Sequence, residues 1–235
     1  MSVIQPMEWD SRQLGLPVGR LRDYPPDLTD REFGTYALVL ARVPQERREI
    51  VARLETFGFR YIGLDLRLAA DPRESMGADD TRWRVRRVSR CEPDFHIRGF
   101  HIEESRLMLD PTCRHRLSKD FWDRLIYEHC ASFADTVICA IDADNRLAGF
   151  VSCLTAPARL NLFMVAVHPA QQGVGLGGVL LDHAAALARD RGVGVATNVM
   201  ASNVRGFNFY ARHHFQVEGG DVVMHRWHED LGRVH

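Results

Sequence analysis

Apolar and polar positions along this chain fall into two runs of alternating strand-like and helix-like pattern, separated by a polar stretch. In the first run, Tyr36-Ala-Leu-Val-Leu-Ala-Arg-Val43 is nearly continuous in apolar residues, as a buried strand is. Pro44 then opens a helix that carries Ile50, Val51, Leu54 and Phe57 on one face, and Gly58 stops it. Tyr61-Ile-Gly-Leu-Asp-Leu-Arg-Leu68 alternates with period two and predicts another strand. Such a β-α-β unit is too small to be stable without docking onto the rest of the chain. Residues 69–81, beginning Ala-Ala-Asp-Pro-Arg-Glu-Ser, are polar, turn-rich and aperiodic and read as a linker.

In the second run, Trp83-Arg-Val-Arg-Arg-Val88 alternates as a strand, and a mainly helical stretch is predicted from Glu92 to Phe133. Val137 to Asp142 and Leu147 to Leu154 predict a hairpin around Ala143-Asp144-Asn145. Asn161-Leu-Phe-Met-Val-Ala-Val167 is apolar and β-prone, and His168-Pro169 closes it. Gln172-Gly-Val-Gly-Leu-Gly-Gly178 follows, and then Leu176, Leu180, Ala184 and Leu187 recur at helical spacing. Val195 to Met200 predicts a strand, Asn203 to His213 a helix, and Phe215 to Trp227 a final strand or pair of strands. The predicted organisation is a small α/β amino-terminal domain over 1–70, a linker over 71–81, a larger domain over 82–229 and a tail over 230–235.

The order strand, glycine loop, helix around residue 175 is where the chemistry concentrates. A glycine loop that opens a helix presents unpaired backbone N–H groups and the positive end of the helix dipole, which together cradle phosphate. Several glycines in so short a span are entropically unfavourable unless a ligand needs close backbone approach. Gly173, Gly175 and Gly178 fit the spacing of a dinucleotide fingerprint. That reading needs the first glycine directly after the strand and an acid about 20 residues further on. Here His168 to Gln172 intervene, and the run Val195-Ala-Thr-Asn-Val-Met200 contains neither Asp nor Glu. The other parse, Q-x-x-G-x-G at Gln172, Gly175 and Gly177, is accompanied by Asn203-x-x-Gly206-x-x-x-Tyr210-x-x-x-His214-Phe215.

These two motifs, over about residues 137–227, resemble the signature of the GNAT superfamily of acyl-CoA N-acyltransferases, N-x-x-A-x-x-x-Y-x-x-x-G-F in its second part. Gly206 stands here for the usual Ala, and His214 for the usual Gly. The resemblance implies a GNAT-type mixed β-sheet flanked by helices, with the small α/β domain ahead of it, and acetyl-CoA as cosubstrate. It also implies cofactor contacts at Val165, Ala166, Val167, Gln172, Gly173, Val174, Gly175, Leu176, Gly177, Gly178, Asn203 and Gly206, with Tyr210 as general acid. Its strand before the glycine loop carries a bulge that splays it from its neighbour. Nearer the start, Met7-Glu-Trp9-Asp10-Ser11-x-x-Leu-Gly15, Phe57-Gly58-Phe59 and Phe100-x-x-x-x-Ser105-Arg106 are similar to the TDP-fucosamine acetyltransferase family. That likeness implies a nucleotide-linked amino sugar as the small-molecule amine acceptor and acceptor contacts from Trp9, Asp65, Ser105 and Arg106, and a homodimer is an assembly it allows. Acetylation of protein, peptide or other small-molecule amines, and a CoA- or nucleotide-sugar-binding module without turnover, stay open beside it.

Other residue types change the picture little. Tyr210 can also be read as a packing residue between helix and sheet. Arg82, Arg84 and Arg86 alternate onto one face and read as a solvated edge, with phosphate gripping as the sharper alternative. A guanidinium at Arg106 would suit a diphosphate, because its fork donates two parallel hydrogen bonds, but a helix-surface arginine is the plainer reading. Asp65, Glu103, Glu104 and Asp110 are the carboxylates to search for a general base. His96 and His101 are five apart and His213 and His214 adjacent, which is no metal-ligand spacing, so no metal is expected. Thirty basic against thirty-one acidic residues leave a formal net charge of −1, which gives no reason to expect nucleic acid or a membrane as partner. Cys91, Cys113, Cys130, Cys139 and Cys153 are odd in number and lack C-x-x-C spacing, which points to free thiols in a reducing cytoplasm.

Overall fold

The computed structural model describes residues 3–74, 82–89, 99–100 and 104–228. It opens with three short elements that the apolar pattern did not announce: β1 (Ile4–Pro6), α1 (Glu8–Leu14) and β2 (Val18–Leu21). The predicted β-α-β unit follows as β3 (Leu38–Pro44), α2 (Arg48–Thr56) and β4 (Arg60–Ala70). Then come β5 (Arg84–Val88), α3 (Arg106–Leu109), α4 (Pro111–Arg116) and α5 (Phe121–Glu128), the last running into a π-turn over His129–Phe133. The hairpin is β6 (Thr136–Ile141) and β7 (Leu147–Ala156). The chain ends with β8 (Arg159–Val167), α6 (Leu176–Arg191), β9 (Gly194–Met200), α7 (Val204–Arg212) and β10 (Gln216–Trp227).

All ten strands join one mixed sheet in the order β1-β2-β3-β10-β4-β9-β8-β7-β6-β5. The expected boundary between an amino-terminal and a larger domain is therefore not a boundary of the sheet. β4 lies between β9 and β10, paired from Asp65↔Met200 to Ala70↔Val195 on one side and from Gln216↔Ala69 to His225↔Arg60 on the other. β10, which the sequence allowed as one strand or two, is a single long strand whose other edge pairs with β3 from Asp221↔Pro44 to Trp227↔Leu38. Docking of the small unit thus takes the form of strand insertion, which satisfies the backbone of four strands at once. The expected linker begins inside ordered structure: β4 runs to Ala70, and a 3₁₀ turn over Pro72–Glu74 is tied to α6 by Arg189, which donates to the Pro72 carbonyl at 2.6 Å. Residues 75–81, the tail 230–235 and Cys91, His96, His101 and Glu103 lie outside the described residues.

Helices cover both faces. Leu176, Leu180, Ala184 and Leu187 of α6 are buried against Leu160, Leu162, Val195 and Leu68, and Ile50 and Leu54 of α2 against Val39, Val43 and Met224. On the other face Leu14 of α1, Leu107 of α3, Cys113 of α4 and Phe121 of α5 pack on Leu38 and Leu40, while Ile126 of α5 meets Phe150 and Met164. Cys113, Cys130, Cys139 and Cys153 are buried and form no disulfide among the described residues. No helix among the described residues is long and apolar enough to cross a membrane.

Removing residues 1–70 would strip β4 and leave facing edges of β9 and β10 without partners. We expect the truncated chain to be insoluble or unfolded; a cooperative thermal transition by circular dichroism would contradict this.

Candidate functional site

β8 and β9 run parallel and pair only from Arg159↔Gly194 to Leu162↔Thr197. Against β7 the register jumps between Cys153↔Leu162 and Ser152↔Met164, so Phe163 is an extra residue, a β-bulge. Beyond it the strands diverge: β8 stays with β7, and β9 stays with β4 as far as Met200. His168 N–H donates to the Ala148 carbonyl at 2.8 Å. Alternation along an antiparallel ladder then turns the peptide groups of Ala166 towards β7 and those of Val165 and Val167 into the fork. Ala166, expected to contact the cofactor beside them, is thereby committed to the sheet.

The glycine loop closes the mouth of this fork. Gly173 and Gly175 have φ of 80° and 95°, the left-handed region that a β-carbon disfavours. Gly175 is the N-cap of the 16-residue α6, and no side chain caps that end. Gln172 donates from Nε2 to the Val167 carbonyl at 3.1 Å and accepts from Arg205 Nη2 at 3.3 Å, linking fork, loop and the start of α7. Arg82 donates to the Val174 carbonyl at 2.9 Å, which brings to the loop a guanidinium that strand alternation had placed on a solvated face. Gly177 and Gly178 do a different job from Gly173 and Gly175. A β-carbon at Gly177 would lie 2.9 Å from Phe209, and one at Gly178 2.9 Å from His213, so these two let α6 and α7 approach closely. Leu176 is fully buried in the core under α6, so any ligand contact from it is through its backbone.

α7 is started by Asn203, whose side chain accepts from Gly206 N–H at 2.8 Å. The same helix places Tyr210 inside the molecule, ringed by Phe209 and Phe215 with centroids 5.2 and 5.3 Å away. Its hydroxyl lies near that of Thr197, which itself donates to the Leu162 carbonyl at 2.8 Å. Thr197 and Leu162 are the last residues to pair before the strands part, so the phenol sits where the fork begins. Burial raises its pKa to about 12, against which the nearby Thr197 hydroxyl acts, and it stays protonated at neutral pH. His214, which follows α7 where the family pattern has glycine, takes φ of 64°, a conformation that costs a non-glycine residue roughly 1 kcal/mol.

Among the expected acceptor contacts, Asp65 lies near the fork. It is buried on β4, ion-paired with Arg42, and accepts from Asn198 Nδ2 at 3.3 Å, one residue beyond Thr197 on β9. Trp9 donates from its indole N–H to Glu128. The hydroxyl of Ser105 caps α3 by accepting from Met108 N–H at 3.3 Å. Arg106 is ion-paired with the buried Asp10. Trp9 thus ties α1 to α5, and Arg106 ties α3 to α1. Glu104 accepts from Ser202 Oγ at 2.6 Å, across the loop between β9 and α7. Asp110 is no candidate base. Burial raises its pKa, but hydrogen bonds from His225 (2.6 Å) and Trp227 (2.9 Å) and the Cys113 N–H outweigh that and hold it at about 2. Asp110, Cys113 and His225 do place ligand-capable atoms within 4.8 Å of one another, yet the Asp110 oxygens already accept four N–H donors, and the group serves to fix α4 on β10.

Sequence reasoning missed one feature beside the bulge. Phe163 is 61% exposed and stacks on His129 of the π-turn at 4.3 Å, and Phe133 also stacks with His129 at 5.7 Å. His129 is buried, its Nε2 has no partner, and burial alone lowers its pKa from 6.5 to about 4. The unfolded chain therefore binds a proton that the folded one refuses. Stability is complete above about pH 6.5 and is lost as pH falls towards 4, by about 3 kcal/mol from this group. His225, buried with its pKa also lowered, adds to the loss below its unfolded value. Urea unfolding at pH 7 and pH 4.5 should show a smaller difference in His129→Leu than in wild type. An equal difference would show that His129 is not charging on unfolding.

Fold and site together describe an α/β protein with two splayed strands and, at the mouth of the gap between them, a glycine loop that opens a helix. Residues 102–215 match the family described as "Acetyltransferase (GNAT) family". Family members use acetyl-CoA as cosubstrate. The chain is 38% identical over 93 residues to streptothricin acetyltransferase of Streptomyces lavendulae, a match over 37% of this chain that spans about half, 48%, of that relative. Among solved structures it is similar to a tandem GNAT protein from the clavulanic acid biosynthesis pathway (TM-score 0.60, 16% identity, 91% of this chain and 76% of that one). It is also similar to a GCN5-related N-acetyltransferase of Kribbella flavida (TM-score 0.54, 10% identity, 92% and 83%). At such identities the structures speak for the fold.

Proposed function

We propose that the chain is an N-acetyltransferase that moves acetyl from acetyl-CoA to a small-molecule amine by direct attack in a ternary complex. The observation that carries this reading is the fork: backbone groups of Val165 and Val167 facing an opening with a glycine loop at its mouth and a protonated phenol at its base. Acetyl-CoA supplies the activated thioester. The residues proposed to hold it are Val165 and Val167 through their peptide groups, Gln172, Gly173, Val174 and Gly175 at the loop, and the first N–H groups of α6 from Leu176 to Gly178. Asn203 and Gly206 act indirectly, by starting the helix that carries Tyr210. A peptide N–H in the fork stabilises negative charge that develops on the acetyl oxygen as the amine attacks. A neutral amine attacks, and the C–N bond forms as the C–S bond breaks. Tyr210 gives its proton to the departing sulfur, whose thiol has a pKa near 8.5, and the proton shed by the nitrogen passes through solvent to restore the phenol. Asp65, ion-paired with Arg42, lies on the acceptor side.

For the acceptor, the reading we favour is an amine on a nucleotide-linked sugar, supported by the amino-terminal motifs. Its rival is another small-molecule amine, supported by the 38% identity to an antibiotic acetyltransferase. A binding module without turnover is disfavoured because a pyrophosphate loop alone would not need Tyr210 at the fork. Thiol release from acetyl-CoA, measured with TDP-amino sugars, streptothricin, polyamines and peptides, tests the reading. Release with none of them above the hydrolysis background would overturn it.

A further inference from the structure

On the face covered by α1 and α3, three arginines converge, and the described residues pair them with only two carboxylates. Arg20 on β2 and Arg42 on β3 point to this face, because Arg20 pairs with Leu40 in parallel register and Arg42 lies two residues further along. Arg106 reaches in from α3. Arg42 is paired with Asp65 and Arg106 with Asp10, which leaves one positive charge over. Arg20 is only partly exposed and makes no ion pair or hydrogen bond with any described residue. The Nη1 of Arg106 is buried and likewise has no hydrogen-bond partner. Burial first, and then repulsion from Arg42, Arg22 and Arg106, lowers the pKa of Arg20, as expected where like charges are held together. A guanidinium kept in such company with its donors unused is a site prepared for an anion.

We propose that Arg20 and Arg106, with Arg42 between them and the fork, bind an anionic group, phosphate or carboxylate, carried by the acceptor whose amine is acetylated. This rests on the acetyltransferase reading and narrows its substrate class. Asp65 and Asn198 mark the fork end of the same face. From β9 the sheet passes through β4 and β10 to β3 and then β2. At about 4.8 Å per strand, Arg42 stands roughly 14 Å and Arg20 roughly 19 Å from the fork at their backbones. Long arginine side chains shorten the span, so the acceptor presents its amine at one end and its anion roughly 10 Å or more away. A phosphate ester, a sugar diphosphate or an amino acid derivative with a distant carboxylate has that shape, and a simple polyamine does not.

The test is calorimetric and needs no turnover. With acetyl-CoA saturating, so that the glycine loop is filled, the protein is titrated with inorganic pyrophosphate, thymidine diphosphate and citrate. Wild type is expected to bind at least one of them, and Arg20→Gln to weaken it about 10- to 100-fold, the worth of a charge-assisted hydrogen bond. Arg22→Gln, which alters an exposed neighbour hydrogen-bonded to Gln5, should leave binding within about twofold. Preference for the phosphates identifies a phosphorylated acceptor and preference for citrate a carboxylate. Absence of binding in wild type, or equal weakening in both variants, would overturn the proposal, the latter because only diffuse charge would be at work. The two readings fail separately. Anion binding at Arg20 without thiol release in any assay sinks the acetyltransferase reading, and turnover of an uncharged amine without anion binding sinks this one.

Discussion

Tyr210→Phe should lower kcat by roughly 10²- to 10⁴-fold, the loss typical of a missing general acid. The ring stays between Phe209 and Phe215, and only the hydroxyl that meets Thr197 is removed. Loss of a polar contact of this kind costs at most about 1 kcal/mol, so the melting temperature should fall by only a few degrees. Acetyl-CoA affinity should stay near wild type if the phenol acts on the leaving group. A thioester with a more acidic thiol needs the proton less and should recover part of the lost rate. Near-normal kcat would remove Tyr210 from the chemistry. Reduced kcat without rescue, together with weaker acetyl-CoA binding, would make it a positioning residue.

The second large effect is expected at Gly175. Valine there must hold φ near 95° or rebuild the turn, and either outcome displaces the N–H groups that open α6. Acetyl-CoA affinity should fall about 100-fold, as when one or two charge-assisted hydrogen bonds are lost. A β-carbon at this position meets nothing closer than Arg82 at 3.8 Å, so the fold should survive. Gly177→Val is the informative partner, because it drives a side chain into Phe209 and should appear mainly as a lower melting temperature. If the two variants exchanged these phenotypes, the division of labour among the loop glycines would be wrong.

What the sequence disclosed, and what it concealed, follows from how far apart the interacting residues lie. Strand, loop and α6 are consecutive, so the spacing of Leu176, Leu180, Ala184 and Leu187 sufficed to place them. Asn203 and Gly206 are three residues apart, and their cap is equally local. The bulge at Phe163 left no mark, since one more apolar residue in an apolar strand reads as strand. β4 looked like the end of a small domain because nothing in Tyr61–Leu68 names its partners, which begin near residues 195 and 216. Trp9, Ser105 and Arg106 were legible as a motif, yet their work was not. Glu128 is 119 positions from Trp9, and Asp10 is 96 from Arg106. Arg20 carried no motif at all, and its interest arises only once the sheet sets it beside Arg42 and Arg106.

The seat of β10 between β3 and β4 also bears on how the chain reaches this state during synthesis. Asp221 pairs with Pro44 and Asp65, and Trp227 with Leu38, so the central ladders join the last strand made to some of the first. Ladders of such sequence separation form late, because loop closure must be met before any pairing compensates for it. Until residues 216–227 leave the ribosome, β3 and β4 each lack the neighbour they share, and both present bare apolar edges. A nascent chain in that condition is prone to aggregate and is a natural client for chaperones. Ribosome-bound chains that stop short of residue 216 should accordingly be far more sensitive to protease than the finished protein.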